Sequence, residues 1–202
     1  MKTSVLSVKG TEFKRVATQA GKFLREGKLV AFPTETVYGL GVSLDRPEAV
    51  ERLYRVKGRP PGKELTLAIA DQNVLQKYDI FLSPLAKRLV ERFWPGPLTL
   101  ILKNEKGERV GVRMPGHPLA REVIREARVP IGLPSANPSG KNPPRSAEEV
   151  IAYFDGVIDL IVDGGQTMHG VSSTIVDLSG GKVEIVREGA ISRKEIEKIC
   201  CG

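Results

Sequence analysis

Four stretches of the chain mix hydroxyl, amide and cationic side chains with glycine and proline. They are Phe32-Pro33-Thr34-Glu35-Thr36-Val37-Tyr38-Gly39-Leu40-Gly41, Lys57-Gly58-Arg59-Pro60-Pro61-Gly62-Lys63, Leu133-Pro134-Ser135-Ala136-Asn137-Pro138-Ser139-Gly140, and the run from Asp163-Gly164-Gly165 to Ser172-Ser173-Thr174. Loops of this composition at strand ends are where α/β proteins place ligands, although the same residues also punctuate chains for backbone reasons alone. The second stretch carries the most chemistry. Lys57 and Arg59 flank a glycine, with Lys63 close behind. A planar guanidinium fork and a point charge on a glycine-containing loop suit a polyphosphate; the alternative is a solvated charged loop. In either case the segment is expected to be an exposed loop after a helix. Removing Lys57 or Arg59 should then leave the fold intact while cutting turnover at least roughly tenfold. Arg113 ends the apolar run Val110-Gly111-Val112, and Arg187 ends Val183-Glu184-Ile185-Val186. An arginine in that position points either at a cleft or at a carboxylate partner.

Several chemistries are absent from the pattern. No Gly-x-x-x-x-Gly-Lys-Ser/Thr phosphate loop and no Gly-x-Ser-x-Gly nucleophile elbow occurs. The two histidines, His117 and His169, have no paired cysteines near them, so no zinc site is expected. His117 precedes Pro118 and reads as a helix cap or a surface residue.

The elements that must position these segments interleave helices and strands. Helical spacing of apolar residues covers 11–26, and further helices are expected over 47–56, 83–93, 118–127, 146–154 and 192–200. Ser83-Pro84 opens one of them, and the pair Ser146/Glu149 reads as a capping box for another. Strands are expected over 29–32, 65–70, 98–102, 110–113, 130–133, 158–162, 174–178 and 183–186, the last two joined by a turn at Ser179-Gly180-Gly181. Because some strands follow strands directly, the pattern predicts an α/β fold with a mixed sheet. With 202 residues, 41% hydrophobic, and no linker-like shift in composition, one domain over 1–202 is expected.

The formal net charge of +7 fits either a lysine-rich solvated surface or an anionic partner such as a nucleotide or RNA. Two adjacent terminal cysteines, Cys200 and Cys201, suit a reducing cytosol. The N-terminus lacks the apolar core of a signal peptide, and no apolar run approaches the roughly 18 residues of a membrane span. The expected location is cytoplasmic, with no membrane contact.

Taken together and in order, these motifs resemble the YrdC-like threonylcarbamoyl-AMP synthase family, in its short single-domain form. The resemblance runs from about Lys14 to Gly189. It rests on the segments above together with Trp94-Pro95-Gly96-Pro97-Leu98-Thr99, Val112-Arg113-Met114-Pro115, Ser173-Thr174-Ile175-Val176-Asp177 and Arg187-Glu188-Gly189. Lys63-Glu64-Leu65 and Ser172-Ser173-Thr174 depart from the commoner family wording without removing a central residue. The resemblance implies a twisted mixed sheet with flanking helices around a basic cavity. It implies ATP, bicarbonate and L-threonine as substrates, Mg2+ accompanying the ATP, and threonylcarbamoyl-adenylate and pyrophosphate as products. By the same resemblance Thr34, Thr66, Arg113 and Ser173 would hold threonine. Lys57, Arg59, Ser135, Asn137 and Arg187 would hold ATP, with Lys57 and Arg59 acting on the transferred phosphate. A threonylcarbamoyl transferase would be the partner, in service of tRNA modification, and double-stranded RNA or tRNA could also bind. The competing readings are a carbamoyl-adenylating module of the hydrogenase-maturation type and a pure RNA-binding domain. The aromatic content of 5% argues against an RNA stacking platform.

Overall fold

The computed structural model describes residues 2–8, 13–60 and 62–200. In chain order its strands are β1 (Ser4–Ser7), β2 (Val30–Pro33), β3 (Tyr38–Ser43), β4 (Leu67–Ala68), β5 (Leu98–Lys103), β6 (Arg109–Arg113), β7 (Ile131–Gly132), β8 (Leu160–Asp163), β9 (Thr174–Asp177) and β10 (Glu184–Arg187). Its helices are α1 (Phe13–Arg25), α2 (Pro47–Lys57), α3 (Pro84–Phe93), α4 (Pro118–Ala127), α5 (Ala147–Phe154) and α6 (Arg193–Cys200). The strands form one ten-stranded sheet in the order β1-β8-β2-β3-β7-β4-β6-β5-β9-β10. The pairs β1–β8, β2–β8, β4–β6 and β5–β9 are parallel, and the other pairs are antiparallel, so the expected mixed sheet is present.

Local signals in the sequence account for most of the helix ends. Ser83 Oγ accepts from the Ala86 amide at 3.2 Å at the start of α3, with Pro84 in the first turn. His117 is a cap, its Nδ1 accepting from Leu119 N at 3.2 Å. At α5, Ser146 Oγ accepts from Glu149 N as a capping box requires, but the Glu149 carboxylate accepts from Arg145 N at 2.7 Å instead of from the cap residue itself. The residue calls at 11 and 12 lie outside the described residues.

Strands β1 and β3 and a 3₁₀ turn over Gln72–Tyr78 were not expected, and the strand expected over 65–70 is regular only at Leu67–Ala68. β3 escaped because it is fully buried, Tyr38 to Ser43, and so lacks the polar alternation that marks a half-exposed strand.

Three apolar clusters divide the sheet. Around β2 and β8, α1 and α4 supply Val16, Ala20, Leu24, Leu119 and Val123 to one face. α2 and α5 supply Leu53, Ala49, Val150 and Phe154 to the other. Toward β5, β6 and β9 only one face is covered, by Leu89 and Val90 of α3 and Ile196 of α6. The opposite face of that half of the sheet is left to form the floor of a cavity.

Candidate active site

The floor is built by strand alternation. Leu98, Leu100 and Leu102 of β5, Val112 of β6 and Val176 of β9 face the core, so their neighbours Thr99, Ile101, Gly111, Arg113 and Ile175 face the cavity. β10 breaks this alternation. Ile185 pairs with Val176 and belongs to the core face, yet Arg187 pairs with Ile175, because the register shifts between them. A bulge of this kind re-aims the next side chain, and here it turns Arg187 into the cavity beside Ser173.

The cavity has a volume of about 370 Å³ and is walled by the end of α2, the segment after β7 and the segment before β9. Lys57, Arg59, Thr66, Arg113, Ser135, Asn137, Ser173 and Arg187 all line it. A recess of about 30 Å³ adjoins it, sharing Thr66, Arg113 and Ser135 and adding Thr34, Ala68 and Pro115. The residues singled out from the sequence therefore face one concavity. Thr34 borders only its inner recess.

Lys57 is not on an exposed loop. It is the last residue of α2, 3% exposed, and its ammonium donates to the carbonyls of Ser135, at 2.5 Å, and Asn137. Its own carbonyl accepts from Ser139 N at 2.7 Å. The expectation that its removal spares the fold is thus corrected, because this side chain ties the helix end to the segment carrying Ser135 and Asn137. Gly58 ends α2 in the left-handed region at φ 56°, so a glycine is favoured there by backbone conformation, and no protein atom lies within 4 Å of where a Cβ would stand. Arg59 lies in the loop beyond, donating from Nε to Lys63 O at 3.0 Å and from Nη2 to Glu64 O at 2.7 Å.

Both alternatives open to a strand-ending arginine occur at Arg113, and Arg187 takes the cleft. Arg113 both lines the cleft and has a carboxylate partner, its Nη2 donating to Glu35 Oε1 at 2.6 Å and to Thr36 Oγ1 at 2.8 Å. Arg187 donates from Nε and Nη2 to Ser173 O, at 3.1 and 2.8 Å, and from Nη2 to Ser173 Oγ at 3.2 Å. Burial, and then the charge of Arg113, lower the Arg187 guanidinium from its ordinary value. Two guanidiniums that repel each other across a cavity favour an anion between them.

The hydroxyls divide into engaged and free ones. Thr34 Oγ1 is consumed locally, donating to Val37 O at 2.6 Å and accepting from the amides of Thr36 and Val37. Ser173 Oγ pairs with Thr99 Oγ1 at 2.9 Å. Asn137 donates its amide to Pro138 O and Lys141 O, at 2.9 and 2.7 Å, leaving its buried Oδ1 without a partner among the described residues.

The Sua5/YciO/YrdC family model, whose description reads telomere recombination, matches residues 22–189. The chain belongs to the Sua5/YciO/YrdC family. A threonylcarbamoyl-AMP synthase of Pyrococcus abyssi is 46% identical over 189 residues, which are 89% of this chain and 56% of that protein. A putative threonylcarbamoyl-AMP synthase of Methanocaldococcus jannaschii is 32% identical over 93% of this chain and 92% of its own length. The crystal structure of P. abyssi Sua5 complexed with L-threonine superposes with a TM-score of 0.92 at 42% identity, covering 98% of this chain and 61% of that one. The chain therefore spans about half the length of the Pyrococcus relative and nearly all of the Methanocaldococcus one. Among the described residues, no helix is long and apolar enough to cross a membrane.

For a Sua5/YciO/YrdC domain the residues that sequence reasoning passed over are Glu35, Thr36 and Thr99. Glu35 stands in the first motif, but a carboxylate is exposed by default, and nothing local says that this one is buried against Arg113.

Burial, with the charges of Arg59 and Lys63 behind it, pushes the Lys57 ammonium down to about 7, while the carbonyls it donates to favour the charged form. A polyphosphate in the cavity would restore the proton. Nucleotide binding should therefore take up close to one proton above pH 7, and affinity should fall as pH rises through and beyond that value. Calorimetry at about pH 8, where a terminal phosphate with a pKa near 6 has finished titrating, in buffers of different ionisation enthalpy, reads this directly. Binding with no proton uptake would show that Lys57 is already fully charged in the free protein.

Proposed function

We propose that this domain forms threonylcarbamoyl-AMP and pyrophosphate from L-threonine, bicarbonate and ATP, as a nucleotidyltransferase. The observation that carries the proposal is convergence. Cations from separate motifs, Lys57, Arg59, Arg113 and Arg187, line one cavity, next to a small recess edged with hydroxyls. Convergence of that kind suits a compact anion such as a nucleotide better than a long RNA duplex laid across an open face. The names of the relatives supply the chemistry to which this geometry is suited.

Threonine and bicarbonate give N-carboxy-threonine, whose carboxylate attacks the α-phosphorus of ATP while pyrophosphate leaves. The attacking group is the carbamate itself, so no protein nucleophile is needed. The work left to the chain is positioning, shielding from water, and stabilising charge that spreads over phosphate oxygens. Lys57, Arg59 and Arg187 would meet the phosphates, together with Ser135 and Asn137. Arg113 and Ser173 would meet the amino acid, bordered by Thr34 and Thr66. Magnesium would arrive with the nucleotide and neutralise phosphate charge. Among the described residues no three His, Cys, Asp or Glu side chains are grouped to hold a metal ion. A transferase that passes the threonylcarbamoyl group to tRNA would be the partner, in the cytoplasm.

The test is incubation with ATP, labelled bicarbonate and each amino acid in turn, followed by mass analysis of AMP adducts. A threonylcarbamoyl-AMP product is expected only with threonine. ATP and threonine should also protect against thermal unfolding, by roughly 2.7 kcal/mol for a ligand at about 100 times its Kd. Protection by RNA but by neither small ligand would overturn the proposal.

A further inference from the structure

We propose that Glu35 is the positioning residue of the amino-acid recess, holding the Arg113 guanidinium so that its remaining edge meets the carboxylate of the bound amino acid. The inference rests on the reading of Arg113 given above. It begins with the surroundings of the Glu35 carboxylate, every one of which is a donor. Oε1 accepts from Arg113 Nη2 at 2.6 Å, and Oε2 accepts from Gly116 N at 2.8 Å and His117 N at 3.3 Å. The Glu35 and Arg113 side chains are 8% and 12% exposed, so the pair is largely withdrawn from water. The fit is close: a Cβ on Gly116 would stand 3.3 Å from Glu35 Cδ and 3.4 Å from Gly96 Cα.

Arg113 is thereby fixed from one side only. Its Nη2 is used by Glu35 and Thr36, and its Nε donates to Gly96 O at 3.3 Å. Nη1 has no hydrogen-bond partner among the described residues, and the guanidinium lines both the recess and the main cavity. A buried guanidinium with two of its three nitrogens occupied cannot rotate freely, so the third is aimed before any ligand arrives. Glu35 also has a second hold, since its backbone carbonyl accepts from His169 N at 2.9 Å. One residue thus joins the turn after β2, the end of β6, the start of α4 and the segment before β9, and the first two of these border the recess.

The charge of Glu35 has a further consequence. It compensates Arg113 within a cavity that already holds Lys57 and Arg187. Were it absent, Arg113 would keep only Thr36 Oγ1 and Gly96 O as partners and would lose its counter-charge, so it could turn toward the phosphates. Orientation of the amino acid would be lost and attraction for nucleotide would not.

Glu35→Gln tests the idea, because it keeps the shape but presents an amide NH2 where only donors face it. Threonine-dependent pyrophosphate release should show the KM for threonine rising at least tenfold, with the KM for ATP and the kcat at saturating threonine each changing less than about threefold. In an Arg113→Lys background the same change should add almost nothing to the threonine KM, since the group being positioned is already gone. Should Glu35→Gln fail to fold, Thr36→Val removes the other partner of Nη2 and should raise the threonine KM several-fold while leaving the KM for ATP within about threefold. An unchanged threonine KM, equal rises for both substrates, or full additivity with Arg113→Lys would overturn the proposal. Wild-type protein that releases no pyrophosphate with threonine would instead overturn the proposed function itself, so the two failures are distinguishable.

Discussion

Replacing Lys57 with alanine should cost about 10²–10³-fold in turnover, the scale of a lost transition-state charge contact, and should also weaken the fold. Both effects follow from one position. The ammonium sits at the end of α2 in a cavity where phosphate charge would develop, and it donates to the carbonyls of Ser135 and Asn137. Alanine leaves those acceptors without their donor, at roughly 1–3 kcal/mol for a buried unsatisfied group. It also frees the segment that carries Ser135 and the unpartnered Asn137 Oδ1. Arg59→Ala is the natural contrast. Arg59 donates only to carbonyls of its own partly exposed loop, so its loss should lower turnover at least tenfold while moving stability by about 0.5 kcal/mol or less. Denaturant unfolding and single-turnover pyrophosphate release on both variants separate the two roles. Equal destabilisation by the two would show that the buried carbonyl contacts of Lys57 contribute nothing, and full activity in Lys57→Ala would remove it from the mechanism.

Discrimination between threonine and valine should be large, with kcat/KM for pyrophosphate release differing by about 10³-fold or more. The two amino acids differ by a hydroxyl in place of a methyl, so a purely apolar recess would separate them poorly. This recess combines apolar walls, Val37, Ala68, Pro115 and Leu133, with the hydroxyls of Thr66 and Ser135. Neither hydroxyl has a hydrogen-bond partner among the described residues, in contrast to Thr34, whose Oγ1 is engaged in its own turn. A site with unpaired polar groups rejects the ligand that cannot pair them, because burial then costs their hydration with no return. Thr34→Val should accordingly act mainly on the turn, while Thr66→Val should erode the preference. Valine supporting pyrophosphate release as well as threonine would contradict this account of the recess.

Single residues such as Thr66 were assigned to the site by family resemblance, but the residues alone determined the α/β class, the mixed sheet, most helix boundaries and the polar segments that come to line the cavity. Those properties are local. Caps such as Ser83 and Ser146 act within one turn, and polar, glycine- and proline-rich segments stand out in any apolar chain. For Arg113 the apolar strand it ends left two alternatives, a cleft or a carboxylate partner.

What only the tertiary structure decided concerns partners far apart in the chain. Lys57 looked like a loop cation because its burial depends on carbonyls some 80 residues away. Glu35 looked like one polar residue among several because its donors lie on Arg113, Gly116 and His117. Strand alternation places Arg187 on the core face with Ile185, and the bulge against β9 sends it to the other. In each case the side chain's environment is set by which segments the sheet order brings together, a long-range pairing that composition and periodicity do not encode.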